Sequence, residues 1–197
     1  GMNPLFTLPL YQEGMSPDSV LFFRYLFAIP ILAMMMKFTH VDFKITFREI
    51  PPLAFMGIMF ALCSLTLFQS YNYMDAGIAS TILFLYPILV ALIMTFIFKE
   101  KLSPVTIFCL LMATAGIGLL YKGEDGATLS LVGTILVIIS ALTYAIYIVG
   151  INRTRLKKMN TIKVTFYVLL FGWSLFAVRS MIDGGIQSPP ADKWFLW

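Results

Sequence analysis

Between Ala76 and Phe98 the chain runs 23 residues without a charge, with Pro87 at its centre and Lys99-Glu100-Lys101 directly after it. As an α-helix, at about 1.5 Å per residue, this run reaches roughly 34 Å, enough to cross a hydrocarbon core of about 30 Å. Such a segment makes lipid the solvent. In lipid, backbone N–H and C=O groups have no external partner, so a crossing must be a helix or part of a closed barrel. The two-residue alternation of barrel strands is absent. The expectation is an all-α, polytopic transmembrane helix bundle.

Composition points the same way. The 197 residues are 59% hydrophobic and only 12% charged, with mean hydropathy +0.87. A soluble domain of this size needs more charge to cover its surface. The net charge of +4 would favour nucleic acid only if the cations formed a patch. They are spread over short loops, so no nucleic-acid partner is expected. Cys63 and Cys109 lie in apolar runs and read as small packing residues. No disulfide framework or metal-ligand spacing is present, and no cofactor is expected.

The apolar runs define about seven spans. They are a partial first run Gly1–Tyr11, then about Ser19–Met36, Pro51–Met74, Ala76–Phe98, a short Pro104–Tyr121, Leu129–Ile151 and Thr161–Ile182. With the first span leaving the cytoplasm, ten of the fourteen Lys and Arg fall in cytoplasmic loops: Lys37, Lys44, Arg48, Lys99, Lys101, Arg153, Arg155, Lys157, Lys158 and Lys163. Only Lys122, Arg179 and Lys193 fall outside, and Arg24 lies within the second span. This bias is a positive-inside signal, which one missed or false helix would scramble. The chain opens inside an apolar run without an initiator Met or signal-peptide n-region, and closes as Trp194-Phe195-Leu196-Trp197 begins another. Both ends read as cut, so the expectation is a fragment of a longer membrane protein.

An internal repeat appears at an offset of 144 residues. Val20, Phe22, Leu26 and Phe27 align with Val164, Phe166, Leu170 and Phe171, and Phe23 aligns with Tyr167. Trp194–Trp197 falls opposite Ile50–Leu53, where the third span begins. A repeat unit of five spans, an odd number, places its second copy upside down in the membrane. Residues 1–121 then form a first five-helix repeat whose first helix is truncated. Residues 122–197 begin a second, inverted repeat that stops before its third helix, and the intact protein has about ten spans.

Several motifs resemble EamA-type carriers of the drug/metabolite transporter superfamily. Ala79-Ser80-Thr81-Ile82-Leu83-Phe84-Leu85-Tyr86-Pro87-Ile88-Leu89, followed by Lys99-Glu100-Lys101-Leu102, resembles the family's fourth helix, with small residues, a mid-helix Pro and a Glu-basic-Leu step. Phe23-Arg24-Tyr25 resembles the Arg-aromatic pair of its second helix. Ala115-Gly116-Ile117-Gly118 resembles its glycine-rich fifth helix, and Gly1-Met2-Asn3-Pro4 its first. The resemblance implies a ten-helix, 5+5 carrier of small metabolites, often an exporter, in a bacterial-type inner membrane. It implies a cavity between the repeats and does not select a substrate.

Four residues are the candidates for lining the pathway: Arg24, Gln69, Tyr86 and Tyr144. A charge within a span costs about 2.5–3.5 kcal/mol at the centre on insertion scales, so Arg24 is either an anion-attracting or gating charge, or snorkels outward toward Glu13 or Asp18. Gln69 belongs to a polar cluster with Ser70, Tyr71, Asn72 and Tyr73, and needs a partner on another helix or a ligand. Tyr86 adjoins Pro87 at mid-depth, Tyr144 and Tyr147 lie within the sixth span, and Trp173 within the seventh. Their rings suit an amphipathic or aromatic substrate, or simple packing. Pro4, Pro9, Pro30 and Pro87 are expected to interrupt helices. Glu100, between two lysines, reads as a salt-bridge partner or a cytoplasmic gate. Gly57 with Ala61, Ala76 with Ser80, Thr114 with Gly118, and Ala141 with Ala145 suggest close helix contacts.

No Asp or Glu lies in the middle of a span, and Asp75 and Glu100 only flank the fourth. A proton relay usually needs a buried carboxylate or histidine. The superfamily's four-helix multidrug carriers would need a Glu in the first helix, and none stands there. A membrane enzyme acting on lipid would have to draw on His40, Asp42 and Glu49, whose spacing fits no catalytic motif. A non-transporting helix scaffold is the third reading. The expected partners are a small-molecule metabolite and the bilayer.

Overall fold

The computed structural model describes residues 14–122 and 130–182, and every regular element among them is helical. The elements are α1 (Pro17–Phe38), α2 (Ile50–Ser70), α3 (Ala76–Leu83), α4 (Tyr86–Phe96), α5 (Pro104–Lys122), α6 (Leu131–Arg153) and α7 (Thr161–Ile182). Short 3-10 turns at Phe47–Glu49 and Arg155–Lys158 lead into α2 and follow α6. Five segments are long and apolar enough to cross a membrane, α3 and α4 together making one of them, and Pro104–Gly116 adds a shorter apolar helix. The run Gly1–Tyr11 and the closing Trp194–Trp197 lie outside the described residues.

Helix ends follow local chemistry. α1 starts at Pro17, two residues earlier than its apolar run suggests, because the Ser16 hydroxyl accepts from the Ser19 N–H and Pro17 supplies a helical φ where no N–H is needed. Asp75 caps α3, accepting from Gly77 N at 2.7 Å and Ile78 N at 3.4 Å, which accounts for a carboxylate beside an apolar run. Ser130 and Asn160 cap α6 and α7 in the same way. α1 ends in a Schellman turn: His40 takes φ +53°, its N–H returns to Lys37 O, and the Val41 N–H returns to Met36 O. Lys99, also at φ +53°, closes α4 with the Glu100 N–H on Met94 O.

The chain forms two compact units. The first comprises residues 1–65 and 150–197, the second 66–149. In the first, α1 and α7 are close antiparallel partners. Asp18, in the first turn of α1, lies 3.2 Å from Arg179 Nε, in the last turn of α7. The Phe22 ring sits 5.4 Å from Trp173, and Tyr25 meets Phe176 edge-on at 5.4 Å. Shifting the bounds of α1 by the 144-residue offset gives the bounds of α7, Thr161–Ile182. The Tyr25 hydroxyl shares a 2.8 Å hydrogen bond with the Ser64 hydroxyl of α2.

The approach of α2 to α7 depends on missing side chains. A Cβ placed on Gly57 would lie 2.6 Å from Phe171 Cβ and 3.0 Å from the Val168 carbonyl. Ala61, one turn on, is fully buried. Of the four small-residue pairs, Gly57/Ala61 and Ala141/Ala145 are buried, while Ala76 is buried and Ser80 half-buried. Thr114 and Gly118 are exposed, on a helix whose described side chains lie almost entirely on the surface. At the other end of this unit, Lys163 Nζ and the Tyr167 hydroxyl donate to the carbonyls of Lys44 and Phe43, joining the α1–α2 loop to the start of α7.

In the second unit, α6 presents a buried stripe of Gly133, Val137, Ala141 and Ala145 at four-residue spacing. Its start approaches the turn before α3: a Cβ on Gly133 would meet Tyr73 Cβ and Met74 Cγ, both at 3.2 Å. Much of the large apolar surface faces outward, from Ile31 and Met34 on α1 to Phe108 and Leu111 on α5. A water-soluble protein rarely exposes so many large apolar side chains, and lipid is the solvent that tolerates them.

Candidate functional site

The fourth span does not continue through its centre. α3 stops at Leu83, Phe84 and Leu85 form a tight turn, and α4 resumes at Tyr86. Pro87 supplies the reason: without an N–H it cannot donate to the Leu83 carbonyl four residues back, and its ring crowds that carbonyl. The chain compensates by tightening. Phe84 N donates to Thr81 O and Leu85 N to Ile82 O, at 3.1 and 2.9 Å. Ile88 N turns to Leu85 O at 3.0 Å instead of its helical partner, the Phe84 carbonyl. The break therefore leaves the Leu83 and Phe84 carbonyls without their α-helical donors, as happens where broken helices line transport pathways.

Beside the break stands an aromatic cluster drawn from two helices. The Tyr86 ring meets Tyr144 of α6 edge-on, with centroids 4.9 Å apart, and Tyr144 stacks on Tyr147 at 5.9 Å. All three rings are half-buried. The Thr81 and Thr95 hydroxyls return to the helix carbonyls of Gly77 and Ala91, both at 2.9 Å, and Thr143 does the same with Ile139. These three hydroxyls donate to their own helices, and Tyr86 and Tyr144 add polar rings beside the break.

Two of the four sequence candidates are thus brought together, Tyr86 and Tyr144. Gln69 is half-buried near the end of α2, and its amide has no hydrogen-bond partner among the described residues; nor has the Tyr86 hydroxyl. Arg24 is half-buried on α1 in the first unit. Asp18, offered by the sequence as a partner for Arg24, lies against Arg179. Trp173 packs on Phe22, and Pro30 is accommodated within the continuous helix α1.

Sequence reasoning named Tyr25 only beside Arg24 and passed over Ser64; the two form a side-chain hydrogen bond between α1 and α2. The signal was available: a serine hydroxyl inside an apolar run needs a partner in lipid. His40, Asp42 and Glu49, the residues an enzyme would have to use, serve the backbone. His40 caps α1, the Asp42 carboxylate accepts from Lys44 N at 3.0 Å, and Glu49 accepts from Thr46 N at 2.8 Å. No group of three or more His, Cys, Asp or Glu able to hold a metal occurs among the described residues.

Searches of curated proteins and of solved structures returned no match. The sequence profile of the EamA-like transporter family matches residues 4–122, more than half of the chain and the whole of the first predicted repeat apart from its opening residues. The chain is a multi-pass membrane protein and belongs to the EamA-like transporter family.

Proposed function

We propose that this protein carries a small organic metabolite across a bacterial-type inner membrane by alternating access, with Tyr86 and Tyr144 at the substrate site. The observation that carries this reading is the helix break at Phe84–Leu85 directly beside the Tyr86–Tyr144 contact. It combines backbone carbonyls lacking helical donors with ring faces, within a span otherwise built for lipid. Such a site holds an amphipathic or aromatic molecule by ring contact and accepts hydrogen bonds from it. Gln69, in the same unit as these tyrosines, would contribute a second polar contact.

The antiparallel pairing of α1 with α7, whose bounds coincide at the 144-residue offset, supports two inverted repeats of five helices. On this reading residues 1–121 and 122–197 belong to different repeats, and the carrier switches by rocking one against the other. The backbone duties of His40, Asp42 and Glu49 favour a carrier over a lipid enzyme.

The test is counterflow in proteoliposomes against a panel of labelled metabolites, including aromatic and aliphatic amino acids, amines and sugars. Tyr86→Ala and Tyr144→Ala are expected to weaken apparent affinity about tenfold, the size of one lost ring contact with a ligand. Tyr86→Phe should retain most of it. Unaltered transport by both alanine variants would remove this site from the mechanism.

A further inference from the structure

Two loops of the first unit are tied into one surface. The α1–α2 loop receives hydrogen bonds from the start of α7: Lys163 Nζ donates to the Lys44 carbonyl, and the Tyr167 hydroxyl to the Phe43 carbonyl. The Phe43 ring also meets Phe166 edge-on, with centroids 5.9 Å apart. The turn Arg155–Lys158 directly precedes α7 and so lies beside the same junction. α1 ends here and α7 begins here. Both helices are long and apolar enough to cross a membrane, which puts the joined loops at a membrane interface.

The charge of this surface is one-sided. Residues 37–49 and 153–163 hold eight Lys and Arg against two carboxylates, Asp42 and Glu49. Both carboxylates accept from the backbone of their own loop, at Lys44 N and Thr46 N. Lys37, Lys44, Arg48, Arg155, Lys157 and Lys158 are exposed, and none of them has an ion-pair partner among the described residues. Leu156 shows how the turn aims its cations. Its side chain is buried, and in a 3-10 turn residues three apart eclipse, so Arg155 and Lys158 share another side. Large apolar side chains stand among these charges. Phe38, at the end of α1, is 77% exposed, and Phe47, next to Arg48, is 85% exposed.

We propose that the joined loops are a docking surface for anionic phospholipid: Arg48, Arg155, Lys157 and Lys158 hold net-negative headgroups of the surrounding leaflet, and Phe38 and Phe47 enter the boundary with its acyl chains. Two independent features select this partner. The unpaired cations attract a negatively charged leaflet over a zwitterionic one, because only the former carries a negative surface potential. The exposed rings at the helix ends gain from the boundary between headgroups and acyl chains. A free phosphate or a soluble polyanion would satisfy the charges and leave the rings in water.

The test is native mass spectrometry of the full chain in micelles doped with equal amounts of dioleoylphosphatidylglycerol and dioleoylphosphatidylcholine. A cation near an anionic surface is worth about fivefold in affinity, so the parent should carry phosphatidylglycerol at least about tenfold over phosphatidylcholine. Lys157→Gln combined with Lys158→Gln should cut that preference at least about fivefold, and Lys44→Gln combined with Arg48→Gln should do the same. Lys99→Gln combined with Lys101→Gln, which removes equal charge from exposed positions after α4, should change it less than about twofold. Phe47→Ser should lower the adducts of both lipids to the same degree. Equal adducts of the two lipids on the parent, or equal losses in the Lys157 and Lys158 pair and the Lys99 and Lys101 pair, would overturn the surface. Adducts unchanged by Phe47→Ser would overturn the contact of the ring with lipid. An oligonucleotide adduct that phosphatidylglycerol does not displace would assign the cations to a soluble polyanion instead.

Discussion

Gly57 offers the sharpest test of how the first unit is packed. In Gly57→Ala the new methyl would lie 2.6 Å from Phe171 Cβ and 3.0 Å from the Val168 carbonyl. Comfortable carbon–carbon separation is about 3.5–4.0 Å, so α2 and α7 must part by roughly 1 Å. Neither obstacle can swing away, because one is a backbone atom and the other is bonded directly to a helical Cα. A radial gap of 0.5–1 Å forfeits a quarter to a half of each dispersion contact along the seam. Overpacking of this kind costs about 1–3 kcal/mol, and the rigid obstacles place this case near the upper end. Alanine regains about 0.8–1.0 kcal/mol of helix propensity over glycine, which leaves a net loss of about 2 kcal/mol. Other glycines calibrate the result. A Cβ on Gly172 would meet the Tyr25 ring at 2.9 Å, a side chain tethered through its hydroxyl to Ser64. One on Gly150 would meet only the mobile end of Met56, with Sδ at 2.6 Å, and one on Gly116 would meet nothing within 4 Å. The expected order of stability is Gly116→Ala above the parent, Gly150→Ala near it, Gly172→Ala below and Gly57→Ala lowest. Unfolding by sodium dodecyl sulfate in mixed micelles, followed by circular dichroism, measures it. If Gly57→Ala equals or exceeds the parent while Gly116→Ala behaves as expected, the close approach of α2 to α7 is wrong.

Tyr25→Phe and Ser64→Ala should each lose about 0.6 kcal/mol, with about 1.7 as the ceiling for such bonds in a membrane. Their double-mutant cycle should show coupling, and additive losses would mean that the hydroxyls do not bond. Asp75→Ala removes the cap of α3 at a cost of about 1 kcal/mol, read as faster hydrogen exchange at Gly77 and Ile78. Unchanged exchange there would show that the turn is held by other contacts. His40→Gly relieves a left-handed residue at φ +53°, worth about 1 kcal/mol, against the greater freedom of glycine in the unfolded chain. The midpoint of thermal unfolding should hold or rise slightly and transport should be unaffected; lost transport would return His40 to the functional residues.

Much of this protein is written in local chemistry. Lipid leaves a crossing segment only a few solutions, so apolar runs and loop charges located the described helices to within a few residues. Ser16, Asp75, Ser130 and Asn160 adjusted their starts through hydrogen bonds that any capping residue can make. Pro87 marked the break in the fourth span because a missing N–H is a covalent fact, independent of neighbours. Which side chains meet is a different matter, because every lipid-soluble helix has apolar residues on all sides and hydropathy has no phase to reveal the buried face. The sequence offered Gly57/Ala61 and Thr114/Gly118 as equivalent pairs, and only the tertiary structure buried the first and exposed the second. It likewise drew attention to Arg24 and not to the hydrogen-bonded Tyr25 beside it, and did not foresee that Asp18 meets Arg179 across 161 positions of chain. Tyr86 and Tyr144 were each legible as polar rings at mid-depth. Their contact was decided by the packing of α6 in the second unit, where small residues at four-residue spacing let neighbouring backbones come close.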